Sequence, residues 1–120
     1  MAKRVICTMI LGFLLGGCVF LAEEPSAKVP SASDLYQRAT QAYQARQYPR
    51  ARDLFHEYIG QYPESPLYPV GLYYLAHSYQ MLGDEDEAVV LYSRLVDAYG
   101  DKDFWGGQAL QRIAQIKGQQ

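Results

Sequence analysis

Cysteine, histidine and tryptophan are scarce in this chain of 120 residues, which has two cysteines, two histidines and one tryptophan. Both cysteines belong to the N-terminal stretch, so no pair remains further along for a disulfide or a zinc site. A metal site needs three or four converging ligands, and His56 and His77 are not at His-x3-His spacing. The sequence therefore predicts neither a bound metal nor a cofactor.

The net charge is also small, with a formal value of −2, and no basic stripe runs along the chain. A nucleic-acid partner is not expected, because phosphate binding requires clustered lysine and arginine. Loss of Lys3 and Arg4 with a signal peptide would move the net charge to about −4, which argues against a polybasic membrane-surface protein. No glycine-rich phosphate loop with its lysine and no Ser-His-Asp set is present, so the chain is predicted not to be an enzyme.

The longest apolar run lies near the N-terminus, over residues 5–15, and is shorter than the ~20 residues that span a bilayer. Lys3 and Arg4 precede it and two glycines follow it, which is typical of a signal peptide over residues 1–17. The motif Leu15-Gly16-Gly17-Cys18 resembles the bacterial lipobox. That resemblance implies a lipid on Cys18 and a mature protein anchored to the envelope membrane.

Two other fates of this segment stay open. Residues 5–22 are nearly long enough to act as an uncleaved anchor. Ordinary cleavage after Ala22 would place bulky Phe20 where a small residue is preferred. If the lipobox operates, residues 18–33 form a lipidated, flexible tether rich in serine and proline. In a host that sorts lipoproteins as Gram-negative bacteria do, the resemblance further implies, from Val19 after the cysteine, the periplasmic face of the outer membrane.

An internal repeat with an offset of 37 residues dominates the rest of the chain. Matching positions pair Leu35 with Leu72, Ala39 with Ala76, Tyr48 with Glu85, Ala51 with Ala88, Phe55 with Tyr92, and Pro63 with Gly100. Each copy has the pattern of a helix, a turn and a second helix, and helices are predicted at 34–46, 49–61, 66–82 and 85–99. Ser31 or Ser33 is expected to cap the first helix and Ser65 the third, with Pro66 at its first position and Pro69 at its fourth.

The repeat resembles the tetratricopeptide repeat, a helical hairpin unit of 34 residues. The second copy matches its pattern at Leu72, Leu75, Ala76, Tyr79, Gly83, Ala88, Tyr92 and Leu95. The first copy departs from it at Arg38 and Ala42. The resemblance implies an all-α fold of about two and a half units and five helices in a short right-handed solenoid. Its parts are repeat one at 34–64, repeat two at 65–100 and a capping helix at 101–118.

The capping helix is expected to place Leu110, Ile113 and Ala114 as the second copy places Leu72, Leu75 and Ala76. Four small residues are expected to allow close contact between the helices of each hairpin: Ala39, Ala51, Ala76 and Ala88. About three units are usual for a stable stack, so a homodimer or a partner is a further possibility.

The first helix of each hairpin is expected to line a concave face, if the resemblance holds. Five residues are predicted there as a partner-binding groove: Tyr36, Tyr43, Tyr73, His77 and Gln80. Tyrosine suits such a face because it combines an apolar ring with a polar tip. The alternative, that these tyrosines pack between the repeats and only reach water at their hydroxyls, stays open.

The predicted function is a non-enzymatic interaction scaffold at the cell envelope that binds peptide or helix segments of other envelope proteins. The period of 37 residues is similar to the repeats of lipoproteins in the β-barrel assembly machinery and the Tol-Pal system. A pilotin-like lipoprotein that targets a secretin, and an accessory subunit of an envelope enzyme, are the alternative functions.

Overall fold

The computed structural model describes residues 28–120. In this part of the chain the regular secondary structure consists of helices joined by turns, without strands. Its five helices are α1 (Ala32–Gln44), α2 (Tyr48–Gln61), α3 (Tyr68–Met81), α4 (Glu85–Tyr99) and α5 (Phe104–Gly118). None of these five combines the length and apolar character needed to cross a bilayer. The predicted signal peptide, Cys18 and the tether up to residue 27 lie outside the described residues.

Each helix packs against the next one in the chain, which makes a row of antiparallel hairpins. The first helices of the hairpins, α1, α3 and α5, are called the A helices below, and α2 and α4 are the B helices. The middle A helix, α3, contacts both α1 and α5, whereas α2 and α4 do not contact each other. The A helices therefore lie closer together, and their side of the row is the concave one.

The first helix begins at Ala32, two residues before the predicted start. Ser31 is the cap, since its hydroxyl accepts a hydrogen bond of 3.1 Å from the backbone N–H of Asp34. The Tyr62 hydroxyl donates to the carbonyl of Pro30 at 2.8 Å. The last residues of the predicted tether are thus attached to the helical domain.

The third helix begins at Tyr68, later than predicted, and Ser65 does not cap it. The Ser65 hydroxyl instead forms a hydrogen bond of 2.5 Å with the hydroxyl of buried Tyr58 and accepts one of 3.2 Å from the backbone N–H of Leu67, which precedes the helix. The Ser65 carbonyl accepts from the N–H of Tyr68 at 3.0 Å, so a separate turn precedes the helix. Pro69 is consequently the second residue of the helix. The N–H groups of the first turn have no partner within the helix, so the missing N–H of proline costs no hydrogen bond there.

The register predicted for α5 is wrong by one residue. Ala109, Ile113 and Ile116 are buried, whereas Leu110 is 45% exposed and Ala114 is also exposed. The offset of 37 therefore continues into the third unit, with Ala109 in the position of Leu72. Ile113 is buried in either register, and the observed one buries Ala109 and Ile116 in place of Leu110 and Ala114.

The core is built from alanines at the helix contacts and large side chains between them. The four alanines predicted at these contacts, Ala39, Ala51, Ala76 and Ala88, are completely buried. The largest fully buried side chains are Tyr58, Tyr92 and Phe55. A methyl group at the alanine positions lets the helix backbones approach closely, and the aromatic rings then fill the space on either side.

The turns inside the two hairpins share one conformation. Arg46 has a φ of 59° and Gly83 a φ of 82°, and these two residues are 37 apart. Glycine adopts this left-handed conformation at no steric cost, whereas the Cβ of an arginine is strained there. The repeat therefore extends to the backbone conformation of its turns, although the first copy lacks the preferred residue.

Candidate functional site

Two hydrogen bonds and one pair of parallel rings cross the concave side and join all three A helices. On α5, Nε of Arg112 donates a hydrogen bond of 3.0 Å to the hydroxyl of Tyr73 on α3. The Tyr73 ring lies parallel to the His77 ring, at 4° and 6.3 Å between centroids. His77 in turn shares a hydrogen bond of 2.5 Å with the hydroxyl of Tyr43 on α1. These four residues are called the polar seam.

Aromatic rings pack against the polar seam at both of its tyrosines. The Tyr74 ring packs edge-on against Tyr43, with 4.6 Å between centroids, and stacks on buried Phe55. At the other end, the Trp105 ring lies 5.2 Å from that of Tyr73. Phe104, which is 65% exposed, packs edge-on against Trp105 at 4.9 Å. The seam is thus held in place by rings from α2, α3 and α5.

The hydrogen bond between Tyr43 and His77 has a definite direction. Burial, with neighbouring tyrosines, raises the pKa of Tyr43 to about 12, so this phenol keeps its proton at neutral pH. Burial first, and then the positive charge of Arg112, lower the pKa of His77, so the imidazole is neutral there. A phenol is a stronger acid than a neutral imidazole N–H, so we assign Tyr43 as the donor to Nδ1. The ring proton of His77 is then on Nε2.

Arg112 is the charged member of the seam. Its hydrogen bond to Tyr73 is the main cause that raises the pKa of its guanidinium. A second, long contact of 3.4 Å runs from Nη1 to the amide oxygen of Gln115. Among residues 28–120 the single ion pair is between Arg52 and Asp53, so no carboxylate there pairs with Arg112.

The structure brings three of the five predicted groove residues together. Tyr43 and His77 are half-buried, whereas the Tyr73 ring is 7% exposed and belongs to the core as much as to the face. Tyr36 lies apart from the seam, against the rings of Phe55 and Tyr58. Gln80 is turned towards α4, where its amide oxygen accepts a hydrogen bond of 3.0 Å from Tyr92.

Sequence reasoning missed Arg112 and Trp105 at this face. The correct offset of 37 places Arg112 at the position of Leu75, which is buried in the second unit. Repeat one has Arg38 at this same position, so two of the three units have a cation where repeat two has the buried Leu75, and the shifted register concealed this signal. Under the correct offset Trp105 matches Tyr68 at the start of α3, so an aromatic residue recurs there, and the shifted register concealed this signal as well.

The described residues offer little for catalysis. No three His, Cys, Asp or Glu side chains within 28–120 are grouped as a metal site would require. A hollow of about 650 Å³ lies on α4 and is lined by Val89, Val90, Ser93, Arg94, Asp97 and Ala98. Its one hydroxyl, that of Ser93, has no histidine in the lining beside it, so the polar seam remains the candidate site.

The lowered pKa of His77 predicts a pH dependence of stability. In the unfolded chain a histidine titrates near pH 6.5, whereas folded His77 takes up its proton only at lower pH. Below about pH 6.5 the unfolded state therefore binds more protons, and the free energy of unfolding falls as the pH falls through this window. We expect His77→Gln to remove this component of the slope of melting temperature against pH, measured by circular dichroism from about pH 5.5 to 8, where carboxylates titrate little.

His56 supplies the matched control, because it is the other histidine and is exposed on α2. His56→Gln should keep the acid-side slope of the wild-type protein. The absolute melting temperature of His77→Gln is not the readout, since this change also removes the hydrogen bond with Tyr43. Identical slopes in all three proteins would show that His77 does not resist protonation in the fold.

Two comparisons with known proteins bear on identity. The search of curated proteins finds no match for the chain. The sequence description of the tetratricopeptide repeat matches residues 35–65 and 71–101. The two segments cover just over half of the chain and coincide with the hairpins α1–α2 and α3–α4. The chain therefore belongs to the tetratricopeptide repeat family, whose members are typically non-enzymatic scaffolds for protein interactions.

Proposed function

We propose that this protein is a non-enzymatic scaffold that is anchored to the outer membrane through a lipid on Cys18 and faces the periplasm. Its concave side binds a peptide or helix segment of an envelope-assembly partner. The observation that carries the binding proposal is the polar seam, in which α1, α3 and α5 each contribute a side chain to one continuous set of contacts.

The chemistry of the seam suits a protein segment better than a small molecule. Tyrosine and arginine are the residue types that most often dominate binding energy at protein interfaces. Their rings and guanidinium are held here by neighbouring side chains, so little side-chain entropy is lost when a partner docks. The concave side also spans three helices, which is long enough to contact several residues of an extended or helical segment.

Anchoring predicts a specific result for the two cysteines. Cys18 follows the motif that resembles a lipobox, and a doubly or triply acylated terminus binds a membrane stably. We expect Cys18→Ala to move the protein from the membrane fraction to another fraction, or to leave it as unprocessed precursor, with loss of labelling by an alkyne palmitate analogue. Cys7→Ala is the control, because Cys7 lies in the predicted signal peptide and should leave labelling and membrane attachment unchanged. Retained palmitate labelling of the Cys18→Ala variant would contradict the proposal that this protein is a lipoprotein.

Partner binding on the concave side is tested by site-specific photo-crosslinking in whole cells. Met81 on α3 lies one helical turn after His77 and is 50% exposed. Val90 on α4 is 54% exposed and belongs to a B helix, so it is the matched position away from the seam. We expect a photoreactive residue at 81 to form adducts with a second protein, and the same residue at 90 to form few. Equal adducts at both positions, or none at 81, would contradict binding at the seam.

A further inference from the structure

Charge is divided unequally between the two sides of the row of helices. The three A helices contain three cations and one carboxylate, which are Arg38, Arg112, Lys117 and Asp34. The two B helices contain three cations and six carboxylates, which are Arg50, Arg52, Arg94, Asp53, Glu57, Glu85, Asp86, Glu87 and Asp97. The A side is therefore cationic in a protein whose net charge is negative.

The one carboxylate of the A helices is remote from the seam. Asp34 belongs to the first turn of α1, at the end opposite to Tyr43. The carboxylate nearest to α5 in sequence, Asp103, caps that helix by accepting from the N–H groups of Trp105 and Gly106. Asp103 is thereby committed to the helix terminus, so neither carboxylate neutralises Arg112.

Two donors of the polar seam are left open to solvent. Nη2 of Arg112 and Nε2 of His77 form no hydrogen bond with residues 28–120. No buried side-chain nitrogen or oxygen in that part of the chain lacks a partner, so these two nitrogens are accessible to solvent. Arg112 adjoins the hydroxyl of Tyr73 and His77 adjoins its ring, so a cationic fork and a neutral N–H donor lie beside the same side chain, and this combination suits a carboxylate acceptor.

We propose that the polar seam selects acidic segments of a partner protein, with an Asp or Glu carboxylate accepting hydrogen bonds from Arg112 and His77. This inference rests on the proposed function and adds the chemistry of the partner. The exposed ring of Phe104, which lies against Trp105 at the same end of the seam, provides the surface for a neighbouring apolar side chain. The preferred segment therefore carries an acidic residue close to an apolar one.

The experiment is a selection of random 12-residue peptides displayed on phage against the full chain, followed by fluorescence anisotropy with the enriched peptides. Enriched sequences should contain Asp or Glu, and replacing it by Asn or Gln should weaken binding about tenfold, the effect of one charge-assisted hydrogen-bonded pair. Added salt should also weaken binding of the acidic peptide, because screening reduces the attraction between exposed charges.

Variants of the protein locate the contact. Arg112→Gln should weaken the acidic peptide about tenfold and leave its Asn or Gln counterpart unchanged. Arg94→Gln on α4 is the matched control and should change neither affinity. Arg112→Lys, which keeps the charge and lacks the planar fork, should give an intermediate loss. A thermal melt of each variant verifies that the loss of the bond to Tyr73 leaves the protein folded at the assay temperature.

The outcomes separate this inference from the proposed function. Enrichment of neutral or basic peptides that compete with crosslinking at position 81 would overturn acidic selection and leave a peptide-binding seam. Dimers that depend on Arg112 in sedimentation velocity, without any enriched peptide, would identify a second copy of the chain as the occupant and overturn the proposal. Absence of both peptides and crosslinks at position 81 would overturn the seam as a binding site.

Discussion

Among substitutions that add a single methyl group, Gly106→Ala is expected to lower the stability of this protein most. A Cβ at residue 106 would lie 1.9 Å from the backbone carbonyl oxygen of Gly100 and 3.0 Å from its carbon. No rotamer can relieve this contact, because both partners are backbone. The start of α5 must instead move away from the end of α4, which disturbs the burial of Ala109 and Ile113.

Overpacking that forces a backbone shift costs about 3 kcal/mol. For a domain of this size that lowers the melting temperature by roughly 10–20 °C. Gly60→Ala is the matched control, because Gly60 lies in the last turn of α2 and a Cβ there meets nothing within 4 Å. It should stabilise the protein by about 0.5 kcal/mol, since alanine favours a helix more than glycine. Similar melting temperatures for the two variants would show that α5 does not approach α4 as closely as described.

Phe55→Ala is expected to cause the second large effect, through a cavity rather than a collision. The Phe55 side chain is completely buried on α2. Its ring stacks on Tyr74 of α3 at 5.7 Å and meets the edge of Tyr36 of α1 at 6.2 Å. Removing the ring leaves a void among three helices, and phenylalanine-to-alanine changes in a core cost about 3–5 kcal/mol.

Urea unfolding measures this loss, and two further variants calibrate it. Phe55→Leu refills most of the volume and should cost about 1 kcal/mol. Phe104→Ala removes the same ring from a side chain that is 65% exposed, so it should cost less than about 1 kcal/mol. A loss at Phe55 no larger than the loss at Phe104 would contradict the packing of the first hairpin against the second.

The helices themselves could be predicted from sequence because the residues that favour and end each helix occur in two copies. Apolar residues at helical spacing, alanines at the contacts and a breaker after the second helix of each hairpin recur 37 residues apart. The predicted α4 has the observed bounds, and α2 differs by one residue at its start. Two copies constrain one another, so an accidental pattern in one of them has little influence on the prediction.

The errors lie where a local rule competes with a contact to another element of the fold. Ser65 has the features of a helix cap, yet it bonds to Tyr58 because that buried hydroxyl needs a partner. The register of α5 was misjudged because Leu110 looks like a core residue by itself. Only the packing of α5 against α4 decides that Ala109 and Ile116 are buried instead.

The candidate site was only partly within reach of sequence analysis. Tyr43 and His77 are predicted for the concave face from their repeat positions, and the structure joins them by a hydrogen bond. Arg112 was missed because the shifted register of α5 hid its match with Arg38 of repeat one. Its bond to Tyr73 spans 39 residues of chain, and no periodicity within one helix encodes such a contact.

The sequence by itself determined an all-α repeat, its period and the small residues at its helix contacts, because these depend on spacing along single helices. Tertiary structure alone decided which side chains meet across α1, α3 and α5, and which of their donors are left open. The physical reason is that a hydrogen bond or a buried ring depends on the relative position of two helices. The packing of the whole core sets that relative position, including the buried ring of Phe55 and the close contact at Gly106, and neither helix sets it alone.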